Sequence, residues 1–143
     1  MPADDPQTTV FVHTLRVRYA ECDMQGHAFN AQYFTWLDIA HTELWRATVG
    51  PYQEFVAAGF EFVVAEASAR FRSPAHFDDE IAITVEVVAL SSSSMTTRHT
   101  IRRSEELLAE CSLRHVCVDA RELGKAPWPE AVRAAFAPLV VAA

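Results

Sequence analysis

Glycine is scarce, with four in 143 residues, and so are cysteine, with three, and basic side chains, with twelve against nineteen acidic ones. So little glycine excludes collagen-like repeats and flexible low-complexity chains. Cys22, Cys111 and Cys117 are odd in number and have no C-x-x-C spacing. That excludes a disulfide framework and an all-cysteine zinc site, and the three read as buried small apolar residues. A net charge of −7 argues against a general nucleic-acid binder. An anionic ligand would need a local basic patch or a helix N-terminus. No apolar run approaches the ~20 residues that span a bilayer, and the apolar tail from Ala134 to Ala143 is too short. Met1 to Gln7 is acidic and contains proline, unlike a signal or transit peptide. The sequence reads as a soluble, cytoplasmic protein.

Hydrophobic residues make up 50% of the chain and charged ones 22%, a globular composition. The length fits one domain over residues 1–143, with a core over about 10–120 and a short closing helix over about 129–136. Val10 to Tyr19 reads as a strand with an irregularity near His13, where the apolar phase changes. From Tyr33 the apolar period becomes helical, with Tyr33, Leu37, Ala40 and Leu44 on one stripe and Phe34 and Trp45 beside it. Asn30 is the expected N-cap, Gly50-Pro51 the stop, and Glu43–Arg46 an i, i+3 pair. This helix is predicted to be the buried central element.

Period two then takes over: Phe60 to Phe71, Ile81 to Val87, Met95 to Arg103 and Leu107 to Asp119 read as strands. The third of these is polar enough to suit an exposed face. Tight connections are expected at Ser73-Pro74, at the serine run Ser91 to Ser94 and at Ser104 to Glu106. The layout is α+β, a curved antiparallel sheet of about five strands wrapped around one long helix. One helix covers only part of such a sheet and leaves an edge open, so a homodimer sharing a continuous sheet is expected, with stacking into a tetramer.

The segment that could carry chemistry runs from Tyr19 to Asn30, Tyr-Ala-Glu-Cys-Asp-Met-Gln-Gly-His-Ala-Phe-Asn. It sets Asp23 and His27 four positions apart in a loop that feeds a helix N-terminus. The first N–H groups of a helix have no intrahelical acceptor and carry partial positive charge. They suit an oxygen that becomes negative, as a thioester carbonyl does under attack. An ionised Asp23 could act as nucleophile or as general base for water. A leaving thiolate, from a thiol of pKa ~8.5, needs little acid assistance. Turn chemistry alone also selects Asp, Gly and Asn before a helix, and a lone His in a loop is often only hydrogen-bonded.

Arg18-Tyr19, Asp23, Gly26, His27 and Tyr33 together resemble the signature of the 4-hydroxybenzoyl-CoA thioesterase-like family of hotdog-fold proteins. Glu66 to Pro74 resembles that family's second strand with its closing proline, and His76 to Glu80 the turn before the third. Arg114 to Asp119 resembles the last strand and Pro127 to Phe136 the closing helix, so the likeness covers Val10 to Phe136. It implies a hotdog fold and an acyl-CoA thioesterase without metal or redox cofactor. Asp23 becomes the catalytic carboxylate, the N–H groups around Asn30 and Ala31 the oxyanion hole, and His27 a helper in proton transfer or loop order. Phe29-Asn30 mixes two patterns found in different branches of the family. Gly26, Ala31 and Tyr33, with Arg72, Ser73, Pro74 and Ser94, are the substrate-binding candidates. Arg70, Arg72, Arg98, Arg102 and Arg103 could meet the phosphates of coenzyme A or simply form a solvated strand face. Glu66 and Asp38 read as a strand residue and a helix-face residue. Two rivals stand beside this reading. One is a non-catalytic acyl-CoA-binding module. The other is a hotdog hydratase or dehydratase, whose Asp-x-Asn-Pro-x-His-like element is absent here.

Overall fold

Alternation of apolar and polar side chains builds most of the molecule. The structure, a computed structural model, describes residues 10–141. Five antiparallel strands, β1 (Phe11–Arg16), β2 (Phe60–Phe71), β3 (Glu80–Leu90), β4 (Ser94–Arg103) and β5 (Glu106–Asp119), form one sheet in the order β1-β3-β4-β5-β2. Helix α1 (Asn30–Thr48) lies against it, with the short helices α2 (Tyr52–Ala57) and α3 (Glu130–Phe136) beyond its C-terminal end. This is the expected hotdog arrangement, a long helix against a curved α+β sheet. Among the described residues no helix is long and apolar enough to cross a membrane.

The predicted stripe is what α1 buries: Tyr33, Leu37, Ala40 and Leu44 are all inside, with Trp36, His41 and Trp45. Each large apolar side chain taken out of water contributes roughly 1.5–3 kcal/mol. On the sheet, Ile81, Ile83, Val85 and Val87 of β3 and Ile101 of β4 face the helix. At the far end of α1, Trp45 packs on Phe55, Phe62 and Phe136 with ring centroids 5.0, 5.1 and 5.4 Å away. The Glu43–Arg46 pair forms on the outer side of α1. Val49 and Gly50 end the helix, Gly50 adopting φ 102° before Pro51.

Several expectations need correction. No irregularity falls at His13: β1 pairs with β3 in unbroken register from Phe11↔Val85 to Arg16↔Glu80. Phe11, His13 and Leu15 share the inner side, whereas Val10 and Val12 are exposed. The N-cap of α1 is Phe29 rather than Asn30. Phe29 is extended (φ −65°, ψ 139°) and its N–H donates to the Glu21 carbonyl at 2.8 Å, so Asn30 is the first helical residue. β4 is a central strand whose inner side, Met95, Thr97, His99 and Ile101, is fully buried. Residues 72–79 form no tight turn, because β2 lies at one end of the sheet and β3 is three places away across β5 and β4. Helix α2 leaves no mark in the sequence pattern, because six residues are too few to show a period.

Cys111 and Cys117 are buried as expected, and burial pushes both thiols up to about 11. Cys22 is partly exposed, its thiol raised by burial and then by the charges of Asp23, Glu21 and Asp79.

Candidate active site

Between β1 and α1 the chain makes one compact loop. A 3-10 turn at Tyr19–Glu21 leads into it, and Cys22 and Ala28 bridge antiparallel across its base. The Asp23 N–H donates to the His27 carbonyl at 2.8 Å, and the Gly26 N–H to the Asp23 carbonyl at 3.0 Å. Gly26 turns the corner at φ 78°, where a side chain would be strained although nothing lies within 4 Å of its Cβ position. One carboxylate oxygen of Asp23, Oδ1, accepts from the N–H of Gln25 at 2.8 Å and of His27 at 3.3 Å. These bonds fix its rotamer. Oδ2 meets no donor among the described residues, and the side chain is exposed.

The helix beside it is open at its N-terminus. No side chain caps α1, and the Gln32 N–H donates to the Phe29 carbonyl at 2.9 Å. The N–H groups of Asn30 and Ala31 have no acceptor among the described residues. Loop and helix start are joined through Glu21, which is buried. Its Oε1 accepts from the Arg18 N–H at 2.7 Å and its Oε2 from the Trp36 indole N–H at 2.7 Å. Burial alone would push this carboxyl up. The hydrogen bonds from Arg18 and Trp36 and the Arg18 guanidinium outweigh it and hold the group below the usual range.

The β2–β3 connection packs against this loop. Ala28 N–H donates to the Ala75 carbonyl at 2.8 Å, and the rings of His27 and His76 meet edge to face at 5.0 Å. Behind them Arg103 reaches Asp79 Oδ2 and Glu106 Oε2, both at 2.5 Å, and the Pro74 carbonyl at 3.2 Å. Burial raises the Asp79 carboxyl, but the His76 N–H and Arg103 outweigh this and hold it low. Ser73 donates to Glu106 at 2.6 Å. Tyr33, buried, accepts the Ala75 N–H on its hydroxyl at 3.0 Å.

Asp23, Gly26 and His27 thus share one hydrogen-bonded loop that runs on into Asn30 and Ala31 at the start of α1, and the Tyr33 hydroxyl meets Ala75, next to Pro74. Ser94 does not join them within one chain. It starts β4 while Arg103 ends it, and nine strand steps at ~3.3 Å separate the two by about 30 Å. The arginines are mostly neutralised: Arg72 pairs with Glu110 at 2.9 Å, Arg98 with Glu86 at 3.2 Å, and Arg103 as above. Arg70 and Arg102 have no carboxylate partner among the described residues. Glu66 lies on β2 against Arg114 at 3.4 Å, and Asp38 is exposed on α1. The sequence reading missed Glu21 and the His76 contact. The i, i+3 spacing of Arg18 and Glu21 was the available signal for the first.

Residues 17–136 match the model of the Thioesterase-like superfamily. The acyl-CoA thioester hydrolase YbgC of Escherichia coli is 28% identical over 130 residues, covering 90% of this chain and 97% of that protein. A 1,4-dihydroxy-2-naphthoyl-CoA hydrolase of Synechocystis is 27% identical over 131 residues, covering 84% and 89%. Among solved structures, a hypothetical protein from Thermus thermophilus superposes with a TM-score of 0.84 at 31% identity, covering 90% of this chain and 98% of that one. A gentisyl-coenzyme A thioesterase gives 0.80 at 25% identity, covering 87% and 98%. With a match to the family model over residues 17–136 and relatives that are acyl-CoA thioester hydrolases, the chain belongs to the Thioesterase-like superfamily and is a thioester hydrolase.

Proposed function

We propose that this protein hydrolyses an acyl-CoA thioester to the free acid and coenzyme A, with Asp23 as nucleophile or general base. The observation that carries the reading is a rotamer-fixed carboxylate, its Oδ2 without a donor among the described residues, in the loop that leads directly into a helix whose first two N–H groups have no acceptor among those residues. An acyl carbonyl between them would have its carbon toward Asp23 Oδ2 and its oxygen toward the N–H groups of Asn30 and Ala31. When water, deprotonated by Asp23, or Asp23 itself adds to the carbon, the developing oxyanion accepts those N–H bonds; on the second route the sulfur leaves to give a mixed anhydride, which water then hydrolyses to free Asp23 and the acid. The carbon–sulfur bond then breaks and the electron pair leaves with sulfur, whose thiol pKa of ~8.5 makes it a good leaving group. One carboxylate and an oxyanion site are sufficient for a thioester and insufficient for an amide. His27, on the edge of His76, keeps the loop in shape. Exposed Met24 and Phe29, together with Phe71, offer apolar surface to the acyl group.

The test is a hydrolysis panel of short, long and aromatic acyl-CoAs with thiol release as readout. Turnover well above the uncatalysed rate with at least one member is expected. Binding without thiol release would make the protein an acyl-CoA-binding module instead.

The assembly belongs to the same reading. β2 is a 12-residue end strand whose middle, Val63 to Ser68, is exposed, with Val64 55% accessible. A long edge of this kind invites pairing with another strand. A homodimer in which two β2 edges continue the sheet would cover it, and dimers could stack into a tetramer. Light scattering at micromolar concentration should return a mass of at least two 16.0 kDa chains. A stable monomer would rule out the shared sheet.

A further inference from the structure

We propose that Glu21 is a positioning residue for thioester hydrolysis: its buried carboxylate and carbonyl clamp the loop that carries Asp23 to the start of α1, fixing the carboxylate relative to the N–H groups of Asn30 and Ala31. The inference rests on the reading of Asp23 as the reacting group.

Three bonds converge on this one residue. Oε1 takes the Arg18 N–H at 2.7 Å, at the point where the chain leaves β1 and enters the 3-10 turn. Oε2 takes the Trp36 indole N–H at 2.7 Å, from the second turn of α1. The backbone carbonyl takes the Phe29 N–H at 2.8 Å, at the N-cap itself. Asp23 follows two residues later, so the loop is held on both sides of the reacting carboxylate by the same anchor. The helix cannot rotate about its axis or slide along it without breaking the Trp36 bond, and such motion would carry the Asn30 and Ala31 N–H groups away from Asp23.

The chemistry calls for a carboxylate in particular. Two N–H donors aim at two different oxygens, and Trp36 is fully buried, so its indole cannot turn to water instead. An ionised Glu is an acceptor at both positions, whereas a Gln offers one oxygen and one NH2, and must set an N–H against an N–H. The cost of ionising a buried acid is met by those same bonds, consistent with a carboxyl held below its usual range.

That donor count yields a specific test with Glu21→Gln, Trp36→Phe and the double variant, assayed on the best substrate of the acyl-CoA panel. Displacement on the ångström scale at a reacting centre costs about 10²-fold, so Glu21→Gln should lower kcat by that order. Because the acyl-CoA surface is untouched, KM should stay within about twofold. Glu21 and Trp36 act through one shared bond, so the double variant should lose little beyond Glu21→Gln alone, staying within about threefold of it, a coupling that pairwise cycles isolate. Hydrogen exchange should report the same loosening without substrate: the Gln25 and His27 amides, held by Asp23, should exchange faster in Glu21→Gln while those of β3 do not change. A kcat within about threefold of the parent enzyme in folded Glu21→Gln, with unchanged exchange in the loop, would overturn the proposal, as would losses from Glu21→Gln and Trp36→Phe that multiply in full in the double variant. If Glu21→Gln does not fold, Trp36→Phe carries the decision, since it strips one donor from the same carboxylate. Asp23→Asn in the same series separates the two claims. Loss of turnover there with normal kcat at Glu21 removes only the positioning role, and normal turnover at Asp23→Asn removes the site reading itself.

Discussion

Asp23→Asn should lower the rate of thiol release from acyl-CoA by about 10²- to 10⁴-fold, the range a positioned proton-transfer group contributes. The substitution is nearly isosteric. Its remaining carbonyl oxygen can still accept the N–H groups of Gln25 and His27, so the loop, Gly26 corner included, keeps its shape. What disappears is the negative charge and basicity at Oδ2, the oxygen without a donor among the described residues. Unfolding by urea should therefore shift by less than about 1 kcal/mol, as for other exposed sites. Asp38→Asn, on the exposed side of α1, is the matched control and should leave turnover unchanged. Near-normal hydrolysis by Asp23→Asn would take the reaction away from this loop.

The second large effect concerns stability and lies elsewhere in the core. His41 of α1 stacks on His115 of β5 with ring centroids 3.9 Å apart, and Phe62 of β2 meets both edge-on, at 5.4 and 4.8 Å. His99 of β4 shares a 2.9 Å hydrogen bond with Thr97. All three imidazoles are buried. Both ring nitrogens of His41 and the Nδ1 atoms of His99 and His115 have no hydrogen-bond partner among the described residues. Burial pushes His99 and His115 down to about 4, and pushes His41 well below its usual value with the help of its two neighbours. Among the described residues, the ionisable groups acting on His41 are these two histidines, and no carboxylate offsets them.

Above pH 6.5 the rings are neutral in folded and unfolded chains alike. Between pH 6.5 and about 4 the unfolded chain takes up protons that the folded one refuses, so stability falls as pH falls. By pH 4.5 His99 and His115 should each have cost on the order of 2–3 kcal/mol. Their sum is comparable with the whole stability of a typical domain, about 5–15 kcal/mol. The carboxyls of Glu21 and Asp79, held low by their hydrogen bonds, add a loss of the same sign only at more acid pH. Urea midpoints between pH 6.5 and 4.5 therefore isolate the histidines, and His115→Phe should flatten the curve. A loss of less than about 1 kcal/mol over that interval would mean that the rings do not stay buried and neutral.

The sequence made some of this visible and hid the rest for identifiable reasons. The stripe from Tyr33 to Leu44 and the alternation of β3 placed helix and sheet because every position obeys one period. In β1 and β4 a polar residue occupies an inner position, His13 in one and Thr97 and His99 in the other. Their polarity breaks the apparent period of β1 and makes β4 look suited to an exposed face. The Asp23 loop stood out through its resemblance to a family signature, with the helix start one residue away from its expected place. Glu21 did not stand out, because a carboxylate is ordinarily an exposed group and only the fold reveals that Trp36, fifteen residues later, meets it in the interior.

The three cysteines bear on how hydrolysis can be watched. With Cys111 and Cys117 sealed in the core as protonated thiols, a chromogenic disulfide dye would find at most one reactive sulfur per native molecule, Cys22. Coenzyme A released over many turnovers would then rise far above that fixed background. The two hidden sulfurs would be labelled only when the molecule opens, so the same reagent would count unfolded protein directly.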